Sequence, residues 1–389
     1  MPFADPRPGR PSRPKSNNSP ITFDLLLNVL QKTILHPFIA WLIPLCLVAQ
    51  ATPYSHPSFI ITATYATGLS LLLVLSYVNK RLAHGPPRNV DFKKEVIVVA
   101  GGASGLGLAI AETYGMRGVS VAVLDVKDPA DDAGYVRWDE FPSVEYYRCD
   151  MGNKDEVDKV ARKIAKDLGK PSILINCVAN AINGLPLLFL SEQAIELTLK
   201  TNLLSHFHAL KAFLPGMLSS RTGGTIVTVS SVLGHFTAAG LSDYVASKAA
   251  MTAVHRTVDA EIRLLGASRK IKTILVETGQ IATSLFEGLE TPNSFWAPVL
   301  EPVQVAREIV SVIDSGEGGV IRMPAYAKFL GLYAILPVSI EKLVRFLSGI
   351  DLAVAKATIS NSADNKQITP LSSSSSEEDE DEDDDDSDS

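Results

Sequence analysis

A tyrosine and a lysine four residues apart, Tyr244 and Lys248, could carry acid–base chemistry in this chain. The run around them is rich in helix-forming residues with helical apolar spacing, and positions i and i+4 lie on one face of a helix. The ammonium is therefore expected beside the phenol oxygen, where its charge lowers the pKa of the tyrosine from about 10. A phenol tuned in this way can exchange a proton with a substrate.

Ser231 lies thirteen residues before the tyrosine and follows the apolar run 225–230, which is typical of a buried strand. In α/β proteins the chemistry is presented at the carboxyl ends of the strands. The serine hydroxyl is thus a candidate to bind the oxygen of a reacting group. For the serine, the tyrosine and the lysine alike, the alternative is a polar group satisfied at a helix or strand end.

A glycine-rich turn connects a predicted strand at 96–100 to a helical pattern. The turn includes Gly101, Ser104, Gly105, Leu106 and Gly107. Glycines allow the backbone to turn sharply and to approach a diphosphate closely, and the N-terminus of the following helix favours negative charge. The spacing differs from the commoner G-x-G-x-x-G pattern of dinucleotide-binding proteins. The turn nevertheless predicts a nucleotide diphosphate site.

Asp125 ends the next apolar run, about twenty residues beyond the glycine turn. A carboxylate at this place accepts a hydrogen bond from a ribose 2′-hydroxyl and repels a 2′-phosphate. Ser104 brings no positive charge that could bind such a phosphate, whereas Lys127 lies nearby and favours the other choice. NAD is therefore the expected cofactor, and NADP is the alternative.

Continuous apolar runs separated by helix-length segments predict a parallel sheet covered by helices on both faces. These runs span residues 96–100, 119–125, 172–176, 225–230 and 271–276. The expected fold class is α/β: a doubly wound, parallel-sheet Rossmann domain over residues 91–322, preceded by an N-terminal membrane hairpin.

The hairpin is predicted within residues 21–90 from two apolar stretches, 34–51 and 59–78. The second is long enough to cross ~30 Å of hydrocarbon as a helix. The first contains two prolines and is expected to be kinked or half inserted. Lysines and arginines flank the pair but are absent from residues 52–58, which places both ends and the catalytic domain in the cytosol. The alternative is a pair of buried core helices, and the orientation is open if the first stretch does not cross.

The remaining segments differ sharply in composition. Residues 1–20 are basic and proline-rich and are expected to be disordered, as is the serine-rich and acidic tail 359–389. The apolar segment 323–358 is predicted to cap the substrate side or to lie on a membrane surface. The formal net charge of −7 comes from the eleven acidic residues of 377–388.

Composition also excludes some classes of function. The chain has no basic stripe interleaved with aromatic residues, so a nucleic-acid partner is not expected. Its three cysteines, Cys46, Cys149 and Cys177, are scattered, which fits a reducing compartment. No histidine or cysteine spacing typical of a metal site is present, and no metal is expected.

Taken in order, the glycine turn, Asp125, Ser231, Tyr244 and Lys248 resemble the motifs of short-chain dehydrogenases/reductases over about residues 94–286. The resemblance implies hydride exchange between an alcohol carbon and nicotinamide, with the tyrosine as acid–base group. The same resemblance assigns further roles: catalytic Asn202, expected to position a relay water, and the cofactor contacts Asp150, Asn176, Tyr244, Lys248, Gly279 and Thr283.

The hairpin and the sequences of 212–217 and 231–235 resemble one branch of that family, the membrane-anchored retinol dehydrogenases and 17β-hydroxysteroid dehydrogenases. This resemblance implies a lipophilic alcohol as substrate, a location at the endoplasmic reticulum or on lipid droplets, and a homodimer. His235 and His255 are weaker candidates, the first for the substrate pocket and the second as an ordinary helix residue.

Three positions depart from the family pattern. Ala100 replaces a threonine, Ala179 a glycine near the expected cofactor ribose, and Thr278 a proline before Gly279. These changes leave the catalytic set intact but alter the cofactor site. A non-catalytic, nucleotide-sensing membrane or lipid-droplet protein that keeps the fold is therefore the second hypothesis.

Overall fold

The computed structural model describes residues 21–127, 141–286, 289, 291 and 293–352. The expectations for residues 1–20 and 359–389 lie outside this part of the chain. Within it, the strands form a parallel sheet in the order β3-β2-β1-β4-β5-β6-β7. The strands are β1 (Val96–Ala100), β2 (Ser120–Asp125), β3 (Val144–Arg148), β4 (Ile173–Asn176), β5 (Gly224–Ser231), β6 (Ile271–Thr278) and β7 (Gly319–Met323).

Helices cover both faces of this sheet, which explains why its central strands are apolar without alternation. The helices are α4 (Gly105–Met116), α5 (Lys154–Asp167), α6 (Glu192–Leu199), α7 (Ser205–Ser219), α8 (Ser242–Leu264) and α9 (Pro302–Asp314). Ile110 of α4 and Ile309 of α9 are buried in the core of one face. Ile164 of α5 and Phe213 of α7 are buried in the core of the other. The predicted α/β, doubly wound fold is confirmed.

Two strands were not predicted from the sequence, β3 and β7, and both lie at edges of the sheet. In β3 only Val144 and Tyr147 are buried, and β7 is only partly buried. An edge strand needs no continuous apolar run because one side of it faces solvent or a loop. The strand order reverses between β1 and β4, and ligands of such sheets bind outside the carboxyl ends at this point.

Three helices precede the sheet: α1 (Phe23–Lys32), α2 (Pro37–Ala49) and α3 (Pro57–His84). Among the described residues, α3 is the helix whose length and composition suit a membrane span, and α1 with α2 would make a second if their 46° bend lies within one span. The apolar side chains of α3 are largely exposed, unlike those of a core helix. Trp41 Nε1 of α2 donates to Ser70 Oγ of α3 over 3.0 Å.

The end of α3 is attached to the sheet. Lys272 Nζ of β6 donates to the carbonyl of His84 over 2.9 Å. The Arg88 backbone N–H donates to the Gly316 carbonyl over 2.7 Å, and its guanidinium forms a buried, two-bond ion pair with Glu95. The connection between α3 and β1 is therefore held against the domain.

The C-terminal part of the described chain packs on the loop between β5 and α8. It contains a 3₁₀ helix (Ala325–Phe329), α10 (Leu330–Tyr333) and α11 (Val338–Ser348). Arg345 donates to the Thr237 carbonyl over 2.7 Å and pairs with Asp351. Ile350 packs on Ala238, between β5 and α8. The two roles expected for the apolar segment 323–358 both stay predictions.

Candidate active site

A cavity of about 540 Å³ opens outside the carboxyl ends of the strands. Its walls come from the glycine turn, the ends of β2 and β4, helix α8 and the loop after β6. Seven of the residues singled out in the sequence line it: Gly101, Ser104, Gly105, Leu106, Gly107, Asp125 and Asp150. Tyr244, Lys248 and Thr283 also line it, so the nucleotide motifs and the acid–base pair share one space.

Tyr244 and Lys248 lie on the buried face of α8, as their spacing predicts. The Lys248 Nζ is 5.7 Å from the centre of the Tyr244 ring and donates to the carbonyl of Val229 over 3.1 Å. The phenyl ring of Phe286 meets the phenol ring edge-on, with 6.3 Å between the ring centres. The sequence did not single out Phe286, because one aromatic residue in a loop carries no pattern.

The electrostatics of this pair differ from the sequence expectation. Burial raises the pKa of Tyr244, and a hydrogen bond with Ser231 opposes this only in part. Burial also lowers the pKa of Lys248 to about 8, so the amine stays mostly protonated at pH 7 and loses its charge just above it. Desolvation is the largest cause of the shift for both groups. The phenol is therefore protonated at neutral pH in this structure.

Ser231 ends β5 and is buried. Its Oγ accepts from the Leu233 backbone N–H over 3.1 Å and donates to the Thr278 carbonyl over 3.3 Å. The hydroxyl thus caps the 3₁₀ turn Val232–Gly234 and contacts the neighbouring strand. These contacts, together with the hydrogen bond to Tyr244, fix the position of the serine beside the phenol.

Asn202 is fully buried in a π-helical turn, Lys200–Leu204, between α6 and α7. Such turns are rare in proteins overall, and those that occur often lie at functional sites. The Asn202 side chain accepts from the Asn180 N–H over 2.7 Å and donates to Ser247 Oγ over 3.0 Å. It therefore joins the loop after β4 to α8, and a water held by Asn202 stays a prediction.

A polar cluster that the sequence did not reveal fixes the start of α8. The carboxylate of Asp243, next to the tyrosine, accepts from Asn183 Nδ2 over 2.6 Å and from Thr198 Oγ1 over 2.9 Å. Asp243 is buried. Its partners lie 60 and 45 residues away in sequence, so local patterns could not have indicated them.

The glycine turn has the backbone shape that a diphosphate site needs. Gly101 and Gly105 have positive φ angles of 74° and 54°, which favour glycine. A Cβ at Gly107 would lie 2.1 Å from the carbonyl oxygen of Gly101. Ser104 precedes α4 and makes no side-chain capping bond, so the N–H groups of the first turn face the cavity without a side-chain partner from that residue.

The two acidic residues are held in place at the wall of the cavity. The Asp125 carboxylate accepts from the backbone N–H groups of Ala103 and Lys127 over 3.0 and 3.2 Å. Asp150 accepts from the Gly152 N–H over 2.8 Å. Both carboxylates are thus oriented by backbone bonds, as a site that recognises hydroxyl or amino groups requires.

Asn176 and Gly279 do not line the cavity, although the family resemblance assigns them to the cofactor. The Asn176 amide accepts from the Val178 N–H and bonds to Nδ1 of His206 over 2.7 Å. Gly279 N–H donates to the Met323 carbonyl, and a Cβ there would lie 2.8 Å from Tyr326 Oη. Both residues therefore support the cavity wall without lining it, whereas Ala179 lines the cavity.

A buried carboxylate on β6 holds the loop that follows Ser231. Glu277 accepts from His235 Nε2 and from Arg322 Nε, each over 2.7 Å, and Arg256 lies 3.7 Å away. Burial raises the pKa of Glu277, but the hydrogen bonds from His235 and Arg322 outweigh it and hold the pKa below its ordinary value of 4.5. His235 is thus tied to the sheet.

We predict that Glu277→Gln lowers the free energy of unfolding by about 2 kcal/mol at pH 7, because the buried carboxylate that binds Arg322 and His235 loses its charge. A depressed folded-state pKa stabilises the fold above the unfolded pKa of 4.5, and this contribution disappears as the pH falls through the lowered value. Denaturant unfolding of wild type and variant should show a difference at pH 7 that shrinks as the pH falls below 4.5 and through the lowered folded-state pKa. Equal stabilities at pH 7 would contradict the stabilising role of the clamp, the set of contacts that Glu277 makes with His235 and Arg322.

His255 is an internal residue of α8, and its Nδ1 bonds to Thr228 Oγ1 over 2.8 Å. Burial lowers the pKa of His255 to about 4. It does not line the cavity. Its neutral, packed state agrees with the expectation of an ordinary helix residue.

Comparison with known proteins identifies the family of this chain. The model of the short chain dehydrogenase family matches residues 95–293, which is half of the chain and contains the glycine turn, the β5 serine and the α8 pair. The chain is a short-chain dehydrogenase. Members of this family are oxidoreductases that generally bind NAD or NADP.

Relatives of this dehydrogenase include retinol dehydrogenases. It is 32% identical to mouse epidermal retinol dehydrogenase 2 over 73% of its own length and 91% of the relative. It is 30% identical to rat retinol dehydrogenase 10 over 58% and 74% of the two chains. An uncharacterized oxidoreductase of Saccharomyces cerevisiae is 29% identical over 67% and 83%. The dehydrogenase therefore belongs with the retinol dehydrogenase branch.

Solved structures agree on the fold of the dehydrogenase. A short-chain dehydrogenase from Streptomyces avermitilis superposes with a TM-score of 0.52 at 22% identity, covering 64% of this chain and 98% of that one. The fraction of this chain that the superposition leaves uncovered is similar in size to the segments outside the sheet domain.

Proposed function

We propose that this short-chain dehydrogenase is a membrane-anchored, NAD-dependent oxidoreductase of lipophilic primary or secondary alcohols, such as retinoids, steroids or fatty alcohols. The observation that carries the proposal is the shared cavity, in which Tyr244 and Lys248 line the same space as the glycine turn and Asp125. A proton-transfer group and a nucleotide site that share one cavity are what an alcohol dehydrogenase needs.

The residues present fit a dinucleotide. The positive φ angles at Gly101 and Gly105, and the close approach at Gly107 that only a glycine allows, form a turn that leaves room for a diphosphate at the N-terminus of α4. Asp125 and Asp150 would hold the adenosine end, and Thr283 the nicotinamide end. The chemistry that the bound group supplies is acceptance or donation of a hydride.

In this proposal Tyr244 moves the proton and Ser231 orients the substrate oxygen. As a phenolate, Tyr244 takes the proton of an alcohol, and as a phenol it returns one to a carbonyl. Ser231 donates to the substrate oxygen and stabilises the negative charge that develops there. Lys248 places a positive charge within reach of the phenol. Asn202 keeps the loop after β4 and α8 in register, through Asn180 and Ser247.

The preference for NAD over NADP depends on Asp125 in this proposal. We predict that Asp125→Asn, which keeps an acceptor for Ala103 but removes the charge, lowers the ratio of kcat/KM for NAD to that for NADP by at least about tenfold, the worth of one charged hydrogen bond. Steady-state kinetics with both cofactors measures the ratio, and Asp158→Ala on the exposed face of α5 is the control. An unchanged ratio would leave the choice of cofactor to other residues.

The lipophilic substrate is supported by the helices before the domain and by the similarity to relatives that are retinol dehydrogenases. We infer further that α3 anchors the protein to the endoplasmic reticulum or to a lipid droplet, with the catalytic domain in the cytosol, and that the enzyme is a homodimer. In this proposal the folded domain at 91–322 binds the cofactor, and the capping segment at 323–358 helps to bind the substrate.

A direct test uses full-length protein in detergent with NAD and a panel of retinoid, steroid and long-chain alcohols. Formation of NADH is followed by absorbance, and oxidation of NADH is followed with the matching carbonyls. Turnover of one lipophilic class above short-chain alcohols is the expected result. Tight binding of NAD without turnover of any substrate in either direction would favour the nucleotide-sensing hypothesis. The structural feature behind that hypothesis is Ala179, whose Cβ replaces a glycine hydrogen in the cavity wall.

A further inference from the structure

Helix α1 contacts the catalytic domain at two loops beside the cavity, although the sequence groups it with the membrane hairpin. The backbone N–H of Phe23 donates to the carbonyl of Phe295 over 2.9 Å. The Phe23 ring lies on that of Trp296, with 4.9 Å between the ring centres and 39° between the planes. One end of α1 is therefore packed on the loop 293–297.

The neighbouring residue of α1 binds a second loop. Asp24 Oδ1 accepts from the backbone N–H of Ala325 over 2.7 Å, across 301 residues of sequence. Ala325 is the first residue of the 3₁₀ helix Ala325–Phe329, so the carboxylate satisfies an N–H that begins a helical turn. Ala325 itself is buried. A charged acceptor at such a position is worth more than a neutral one.

The 3₁₀ helix held by Asp24 packs close to the acid–base site. Ala327 and Leu330 pack against Val232, the residue directly after Ser231. Tyr326 is half-buried, and its hydroxyl lies close to Gly279, at the start of the loop that leads to the cavity residue Thr283.

The loop 293–297 leads to the same place by a second route. Leu300, a few residues further along, forms a bridge with the cavity residue Ile281. Both contacts of α1 therefore end on walls of the active site.

We propose that α1 is a positioning element of the active site and that Asp24 is a positioning residue for it. Asp24 fixes the turn that supports Ser231 and the loop after β6, and Phe23 fixes the loop that reaches Ile281. The inference rests on the proposed function, since it assigns α1 to the geometry of the alcohol site. It moves the boundary of the anchor from residue 21 to a point beyond α1.

The test compares Asp24→Ala, Asp24→Asn and Val29→Ala in full-length protein. Asparagine keeps the oxygen that accepts from Ala325, and its nitrogen replaces Oδ2, which has no hydrogen-bond partner among the described residues. Val29 is 52% exposed on the same helix and serves as the control. A Trp41→Phe/Trp138→Phe background leaves Trp296 as the single tryptophan, because the chain has three.

We expect Asp24→Ala to raise the KM for the alcohol about tenfold, the worth of a charged hydrogen bond, and to change kcat far less. The Trp296 emission should shift to the red, and the indole should become more accessible to acrylamide. Val29→Ala should resemble wild type, and Asp24→Asn, which keeps a neutral acceptor, should change KM and emission less than Asp24→Ala does. Phe23→Ala should reproduce the spectral change independently of Asp24.

Unchanged Trp296 quenching in both Asp24→Ala and Phe23→Ala would overturn the proposed docking. An altered spectrum with an unchanged KM would overturn the role of α1 in the site. If wild type itself turns over no alcohol, the proposed function fails, and the fluorescence still decides whether α1 is docked. Far-ultraviolet circular dichroism excludes unfolding as the source of either change.

Discussion

Tyr244→Phe is expected to lower kcat/KM for alcohol oxidation by about 10²–10⁴-fold, the usual contribution of a positioned acid–base group. The ring remains to fill the space against Phe286, so only the hydroxyl and its hydrogen bond to Ser231 are lost. Binding of the dinucleotide, measured by calorimetry, should change little. The loss should therefore appear in kcat and not in the dissociation constant of NAD.

Tyr114→Phe is the matched control for this variant. Tyr114 is also fully buried, but its hydroxyl bonds to Asp314 on the other side of the sheet from α8. It should retain wild-type kinetics. Equal rates for wild type and Tyr244→Phe would remove the phenol from the mechanism and with it the enzymatic assignment of this site.

Lys248→Met is expected to lower kcat/KM at least about 100-fold and at the same time to stabilise the fold. Burial lowers the pKa of Lys248 from 10.5 to about 8, so folding at pH 7 must bury an ammonium that would prefer water. The shift corresponds to about 3 kcal/mol. Loss of the bond to the Val229 carbonyl returns about 1 kcal/mol, which leaves a net gain of about 2 kcal/mol.

The sign of this effect depends on pH. The folded-state pKa lies below the unfolded value, so the buried ammonium destabilises wild type below about pH 8, and the penalty fades as the pH rises towards 10.5. Thermal unfolding should give a melting temperature roughly 4–8 °C higher for the variant at pH 7. The two proteins should converge near pH 10. Lys211→Met, at an exposed position of α7, should change neither activity nor stability.

A less stable Lys248→Met at pH 7 would show that the lysine is a structural group. A stable but fully active variant would show that it plays no part in the chemistry. The expected pairing of lost activity with gained stability is typical of a charge that is kept in a buried place for function.

The parts of the fold that were predictable are those with strong local patterns. The central strands have continuous apolar runs because helices bury both of their faces, and the i, i+4 spacing placed Tyr244 and Lys248 on one side of α8. The edge strands β3 and β7 escaped prediction because most of their residues are not fully buried. Their patterns resemble those of loops.

The parts of the site that were not predictable depend on contacts between distant residues. The clamp of Glu277 joins β6 to His235 and Arg322, which lie 42 and 45 residues away. The pKa values of the catalytic pair were misjudged for a related reason. Sequence spacing reveals that a phenol and an amine are neighbours, but the desolvation that dominates their pKa values is set by everything packed around them.

The attachment of the N-terminal helices at both ends of β7 has a mechanical consequence. Helix α1 holds Ala325 after the carboxyl end of the strand, and the end of α3 holds Lys272 and Gly316 near the amino end. Two attachments at opposite ends of β7 restrict the rotation that a single flexible tether would allow. In the proposed membrane-anchored form, they would hold the mouth of the cavity at one tilt and height relative to α3. A lipophilic substrate that diffuses along the membrane would then meet an opening of constant orientation.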